Sequence, residues 1–398
     1  MKDVIIYLAE FDRKNLFKLA SILAVMIAIA LPISTALVNV LFVLVPLLVV
    51  LSGDLKEKFD AIKDNSVAMT FFLFFVMFVV GCFYTTAPLH DMLHTLLKYD
   101  KFFLILFLFP IFSDNKWRNI AVNAFVATVL ITVLLSYFKF FVLSHFFDSL
   151  FAGAKQSQSS IFKNYIQASF LVSICFYILL IEFSKYKKFW WILVPIILLL
   201  LFDLFFMNKG RTGYIVTAAL IVLFCWQKFR WEGMLAALLA IVLGTICLFH
   251  FSTNFSVRMD QAYKNVELNR LHSSVGLRTS FFRHSVNIIK HSPVIGFGTG
   301  SFIAESKNIK DDSYVPSANP HNEYLNIGVQ FGLVGVAFLF FMFGWQWYKS
   351  YSLPEKWRFI AQGIIVSIMV GSLANSWLMD TTEGHLYVYF MAVIFSAL

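Results

Sequence analysis

LFKLASILAVMIAIALPIS, residues 16–34, carries one charge, Lys18, and ALVNVLFVLVPLLVVL, residues 36–51, follows it with none. About 20 apolar residues take a helix across the hydrocarbon core of a bilayer, so the pair reads as two membrane crossings joined by a short turn. Comparable stretches run over 67–84, 89–112, 119–143, 167–181, 189–207, 213–226, 233–251, 321–347, 359–378 and 385–398, which makes twelve. Composition agrees, because 59% of the 398 residues are hydrophobic and only 14% are charged, with 47 Phe. Soluble domains hold about 45–50% apolar and roughly 25% charged residues, and the surplus here has no soluble core to enter. Lipid permits helices, whose backbone groups are satisfied within the segment. The expected fold is therefore all-α, a polytopic membrane protein of about twelve transmembrane helices. Helices one to nine occupy 1–251, a mostly helical loop subdomain occupies 252–320, and helices ten to twelve occupy 321–398.

A net charge of +9 in a soluble chain would hint at nucleic acid; here placement decides, and no nucleic-acid partner is expected. Lys and Arg are retained on the cytoplasmic side. With the N-terminus inside, the inner segments hold Lys2, Arg13, Lys14 and Lys18, then Lys56, Lys58 and Lys63, and later Lys116 with Arg118. Lys185, Lys187, Lys188, Lys228, Arg230, Lys349, Lys356 and Arg358 continue the series, whereas the short outer loops hold only Lys155, Lys163, Lys209 and Arg211. An even number of spans returns the C-terminus to the cytoplasm. The first apolar stretch follows a charged lead and lacks a small-residue cleavage site, so no cleaved leader is expected. Cys82, Cys175, Cys225 and Cys247 all fall within spans, which suggests neither a disulfide framework nor a zinc site.

The one long polar stretch, residues 252–320, lies outside on this topology. Two amphipathic helices are predicted in it, over 257–271 and 277–290, the second with Leu277, Phe281 and Ile288 on one stripe. Three motifs in and around this stretch carry chemistry. In NKGRTGY, 208–214, Gly210 and Gly213 loosen a turn, and Arg211 stands at the N-terminus of the eighth span. Free N–H groups, a positive dipole end and a guanidinium suit a diphosphate; a snorkelling arginine is the plainer alternative. GLRTSFFRHSVNIIKHSPVIGFGTGSF, 276–302, offers Arg278 and Arg283, one of which could reach the same anion. Its Gly296, Gly298 and Gly300 read as a tight turn, with an anion-binding backbone nest as the other reading. NPHNEYL, 319–325, reads as Asn319 capping a helix whose first residue is Pro320. That puts His321 in the first turn, where the dipole and nearby arginines disfavour imidazolium. A neutral histidine is available as a general base; a capping or interfacial histidine is the alternative.

Weaker candidates are His90, His94, Lys98 and Lys101 around the start of the fourth span, as interfacial anchors or phosphate contacts. Asp311 with Asp312, and Asp380 with Glu383, read as solvated loop charges, or as holders of a divalent ion if the chemistry were metal-dependent. The stretch IFKNYIQASFL, 161–171, is either an ordinary helix start or one wall of a substrate groove.

Taken together, these features resemble the O-antigen ligase family: twelve spans, a long outer loop between the ninth and tenth, and an Arg opening the eighth. An Arg before a Pro-x-x-Gly-x-Gly-x-Gly turn and a His-Asn pair, His321 and Asn322, opening the tenth complete the likeness. The aromatic that follows the loop arginine is Phe281 or Phe282. The resemblance implies a bacterial inner-membrane glycosyltransferase, inverting and independent of metal or other cofactor, with its site on the periplasmic face. It would move a preassembled glycan from undecaprenyl diphosphate to the lipid A core oligosaccharide. Arg211 and Arg278 would grip the diphosphate and His321 would act as base; Arg283, Asn322, Lys98, Lys101 and Gly298 are the expected substrate contacts. The same family includes O-antigen polymerases, which take a second lipid-linked glycan as acceptor. From another class, a polysaccharide-lipid transporter would show broken helices and ionisable groups near mid-membrane. The spans read as mostly free of central charge, with Asp203 and Lys139 the nearest exceptions.

Overall fold

The computed structural model describes residues 2–143, 160–267, 274–308 and 317–398, and every regular element among them is helical. Six helical stretches are long and apolar enough to cross a membrane: Arg13–Ile33, Asn115–Phe141, Tyr165–Lys185, Trp190–Met207, Arg211–Phe251 and Glu323–Ser350. A seventh is added if Leu55–Asp64 and Ser66–Gly81, bent by 92°, count as one crossing. The all-helical class stands, but the expected twelve are not all found as long unbroken helices.

Thr35–Leu51, the expected second span, has only 17 residues and is not among them, and three further causes account for the rest of the difference. The stretch 89–112 divides into Leu89–Tyr99, Lys101–Leu104, a 3₁₀ turn at Ile105–Leu108, and Phe109–Phe112. Pro110 lies at the start of the last piece, a position that a missing N–H tolerates. The expected eighth and ninth spans form one run, Arg211–Phe251, in two pieces that meet at Arg230, whose φ is 56°. The last two apolar stretches give Glu355–Gly371 and Thr381–Phe395, of 17 and 15 residues. At 1.5 Å per residue the latter is only about 22 Å long, against roughly 30 Å of hydrocarbon. It is apolar on every side and buried on every side from Thr382 to Phe395, which makes it a central post rather than a lipid-facing span.

The expected tenth span is also interrupted. Glu323–Ser350 breaks at Gly332, with φ 58° and ψ −152°, a region open essentially to glycine alone. The glycine-rich loop fills the break. Phe297 and Gly298 N–H groups donate to the carbonyls of Val329 and Gln330, at 3.0 and 2.8 Å. In return Leu333 and Val334 N–H groups donate to Pro293 and Val294, at 2.8 and 3.1 Å. Both helix ends that the break would leave unsatisfied are thus paired. The predicted helix over 277–290 is found as Ser274–His291, with Phe281 and Ile288 buried; the other is found as Thr253–Glu267, and its expected end at Leu271 lies outside the described residues.

The helical body holds more ionisable groups than the sequence reading expected. Lys101, Glu323 and Glu383 are all at most 1% exposed. Asp203 is likewise buried, in a π-helical turn, while Lys139 donates to the Ser160 carbonyl.

Candidate active site

Arg211 is the first residue of its helix, as expected, and Gly210 before it leaves the cap position without a side-chain bond. The glycines of this turn serve close packing rather than looseness. A Cβ at Gly213 would fall 2.4 Å from Cβ of Ser169, and one at Gly210 would fall 2.6 Å from the Tyr165 carbonyl. The Arg211 turn is therefore pressed onto the start of the Tyr165–Lys185 helix, which Asn164 caps by accepting from Ile166 and Gln167 N–H groups. Within the stretch 161–171, Tyr165 lies near enough to Arg278 to affect its charge.

Arg278 stands on the Ser274–His291 helix between the other two candidates. Burial lowers its pKa, and so does the positive charge of Arg211 nearby. Its Nη2 donates to Oδ1 of Asn375 at 3.3 Å. The His321 ring lies 5.6 Å from that of Phe281, which stands one helical turn beyond Arg278. The aromatic partner is thus Phe281; Phe282 is exposed. Burial first, and the Arg278 charge second, hold the His321 pKa below the ordinary histidine value.

The neutral histidine is as expected, but its cause differs. The helix begins at Glu323 with Asn322 as its cap, so His321 precedes the first turn, with a left-handed φ of 50°. Asn319 does not cap the helix; its Oδ1 accepts from the His321 N–H at 2.9 Å and from Ser376 Oγ at 3.2 Å. The expected neighbouring guanidinium contributes, and desolvation rather than the helix dipole is the larger cause.

The five expected substrate contacts are placed unequally. Asn322 accepts from Leu325 N–H and donates to the Leu373 carbonyl, so its amide is committed to the turn beside His321. Arg283 is exposed on the Arg278 helix, five residues on, which turns it about 140° around the axis. Gly298, with φ 84°, gives its N–H to Gln330, and a Cβ there would strike Thr85 Cα at 2.4 Å. The Gly300 N–H goes to Gln330 Oε1 and the Thr299 N–H to Gly81. With these donors used inside the protein, the loop is a packing device rather than an anion nest. Lys101 is buried and donates to the carbonyls of Met379 and Asp380, at 3.2 and 2.8 Å. Lys98, half-buried, lines a cavity of about 230 Å³ with His94, Lys101 and His385.

The Asp380 and Glu383 pair does not behave as solvated charges. Glu383 is buried, and Asp380 lies close to Lys98 and Lys101; Asp311 and Asp312 lie outside the described residues. Among the described residues no three His, Cys, Asp or Glu side chains converge as a metal-ligand set.

Residues 196–340 match the family model described as O-Antigen ligase. Over that segment the chain is similar to O-antigen ligases. No curated protein matches the chain. The matched segment contains Arg211, Arg278 and His321, whereas Asn375 and Ser376, which hold Arg278 and the His321 turn, lie beyond it. These two were missed in the sequence, where GSLANSW, 371–377, looks like the end of an apolar span. Glu323 was missed too, although it stands inside the quoted NPHNEYL. A carboxylate two residues past a candidate base, opening an apolar helix, was the signal.

Proposed function

We propose that the protein is an inverting membrane glycosyltransferase of the O-antigen ligase type. It transfers a preassembled polysaccharide from undecaprenyl diphosphate to the lipid A core oligosaccharide at the periplasmic face of the inner membrane, with both termini cytoplasmic and residues 252–320 forming an outer subdomain. The observation that carries this reading is the succession Arg211, Arg278, His321. Arg211 bears on the charge of Arg278, and Arg278 on that of His321, although the three are far apart in the chain.

The chemistry follows from what each group can do. The acceptor hydroxyl attacks the anomeric carbon from the face opposite the diphosphate. As the new C–O bond forms, the bond to the diphosphate oxygen breaks and that oxygen takes the electron pair. Stabilising this developing charge is the largest requirement, and the two guanidinium groups supply donors matched to phosphoryl oxygens. His321, uncharged, accepts the hydroxyl proton as the bond forms. Pushed together by the fold, Arg211 and Arg278 repel each other, and a diphosphate between them relieves that repulsion.

The test is ligation in vitro with purified protein, undecaprenyl diphosphate-linked glycan and lipid A core. Undiminished ligation by both Arg278→Ala and His321→Ala rejects the assignment. A deletion strain adds the acceptor: full-length polymer left on undecaprenyl diphosphate supports a ligase, and core capped with single repeat units identifies a polymerase instead.

A further inference from the structure

The loop between Glu355–Gly371 and Thr381–Phe395 touches both Arg278 and the turn that carries His321 and Asn322. Asn375 Oδ1 accepts from Arg278. Ser376 Oγ donates to Asn319, the residue that also receives the His321 N–H. The Leu373 carbonyl accepts from Asn322, and the Ser372 carbonyl accepts from the Glu323 N–H at 2.9 Å. Clamp and base thus share one mount.

The mount is held by Lys101, which donates to the Met379 and Asp380 carbonyls, and by one buried carboxylate. Glu323 Oε2 accepts from the N–H groups of Leu378 and Met379, at 3.1 and 3.4 Å. Its Oε1 accepts from the Tyr99 hydroxyl at 2.6 Å, and that hydroxyl accepts from Asn326 at 2.9 Å. Glu323 and Tyr99 are wholly buried. Burying a carboxylate is unfavourable unless its lone pairs are met, and here three donors meet them. No packing requirement calls for an acid at this place, because an apolar residue would fill the volume without the desolvation penalty. A fixed acceptor is what a loop needs when it exposes two N–H groups and must not shift.

We infer that Glu323 is a positioning residue: through the 372–380 loop it sets the placement of Arg278 relative to His321. The inference rests on the proposed ligase reading, and its failure is separable from the failure of that reading. Glu323→Gln preserves shape but presents an amide NH₂ either to two N–H donors or to the Tyr99 hydroxyl, so one anchor is lost. Displacing reacting groups by about 1 Å costs on the order of 100-fold; a 10- to 100-fold lower kcat is expected for Glu323→Gln. The decisive readout is the acid limb of the rate–pH profile. Arg278 is the charged group facing His321, so a loop that lets Arg278 draw back moves the limb to higher pH.

Tyr99→Phe removes the donor to Oε1, and with it the acceptor for Asn326, whereas Asn375→Ala removes the acceptor for Arg278. Both are expected to shift the limb the same way, and combining Asn375→Ala with Glu323→Gln is expected to add less than the product of the single effects. If Glu323→Gln does not fold, Tyr99→Phe and Asn375→Ala carry the test alone. Folded variants with wild-type kcat and an unmoved limb overturn the inference, as does a lowered thermal midpoint with the limb unmoved, which is the mark of a merely structural acid. Should Arg278→Ala and His321→Ala lose activity while the loop variants keep it, the positioning role fails and the ligase reading stands.

Discussion

His321 is kept uncharged by two effects that act in the same direction, loss of hydration and the field of Arg278. A base works in its deprotonated form, so the rate falls as pH drops through its pKa. Because that pKa is lowered from 6.5 here, the acid limb of ligation is expected to have its midpoint below pH 6.5. A limb centred above 6.5 would mean that His321 is not the group titrating. Removing the base is expected to lower kcat about 10²–10⁴-fold while leaving donor affinity within a small factor, which equilibrium binding of undecaprenyl diphosphate checks. Arg278→Gln differs on both measures. It is expected to weaken donor binding and, by removing the facing positive charge, to raise the limb of whatever activity is left. Neither the left-handed φ of His321 nor its place ahead of the helix was legible in the sequence. Asn-Pro-His reads equally well as cap, first residue and first turn, and the choice is made by Ser376 and Leu373, fifty residues later in the chain.

At the scale of the element, two breaks inside helices have nearly the same backbone geometry and opposite consequences. Gly332 (φ 58°, ψ −152°) and Arg230 (φ 56°, ψ −142°) both sit where side chains are disfavoured. At Gly332 a Cβ would also lie 2.4 Å from the Val294 backbone. Gly332→Ala is therefore expected to cost about 1–3 kcal/mol for the backbone alone and more for the collision, read as a lower thermal midpoint in detergent. Arg230→Gly is expected to stabilise by about 1 kcal/mol, strain relieved minus the greater freedom of an unfolded glycine. Equal effects of the two substitutions would contradict the geometry. Apolar character showed where helical mass lies along 321–347 but not the break, since a glycine between Phe331 and Leu333 leaves hydropathy unchanged. What decides it is the loop at 293–298, whose carbonyls and N–H groups replace the missing helical bonds.

For the whole molecule, the all-helical class was legible because no soluble core could take up so many apolar residues, and the three candidate groups were legible because each stood at a helix start or in the one long polar stretch. The number of crossings was not. Hydropathy cannot distinguish a lipid-facing helix from one buried among other helices, and Thr381–Phe395 is apolar for the second reason. The charge pattern bears on orientation independently of that count, because it depends on which polar segments share a side rather than on how the chain passes between them. Lys14, Lys56 and Lys356 belong to the basic set, whereas Arg283 and Ser317 flank the proposed site. With Cys82, Cys175, Cys225 and Cys247 replaced by Ser or Ala, single cysteines at Arg283 or Ser317 are expected to react in intact cells with a maleimide that cannot cross the inner membrane. Cysteines at Lys14 or Lys356 are expected to react only after lysis. Labelling of both sets from outside would place basic segments and site on one face, and a ligase working on periplasmic glycan would then need a different topology. A clean division holds the site where a lipid-linked glycan and its acceptor can both reach it, whatever the final count of crossings.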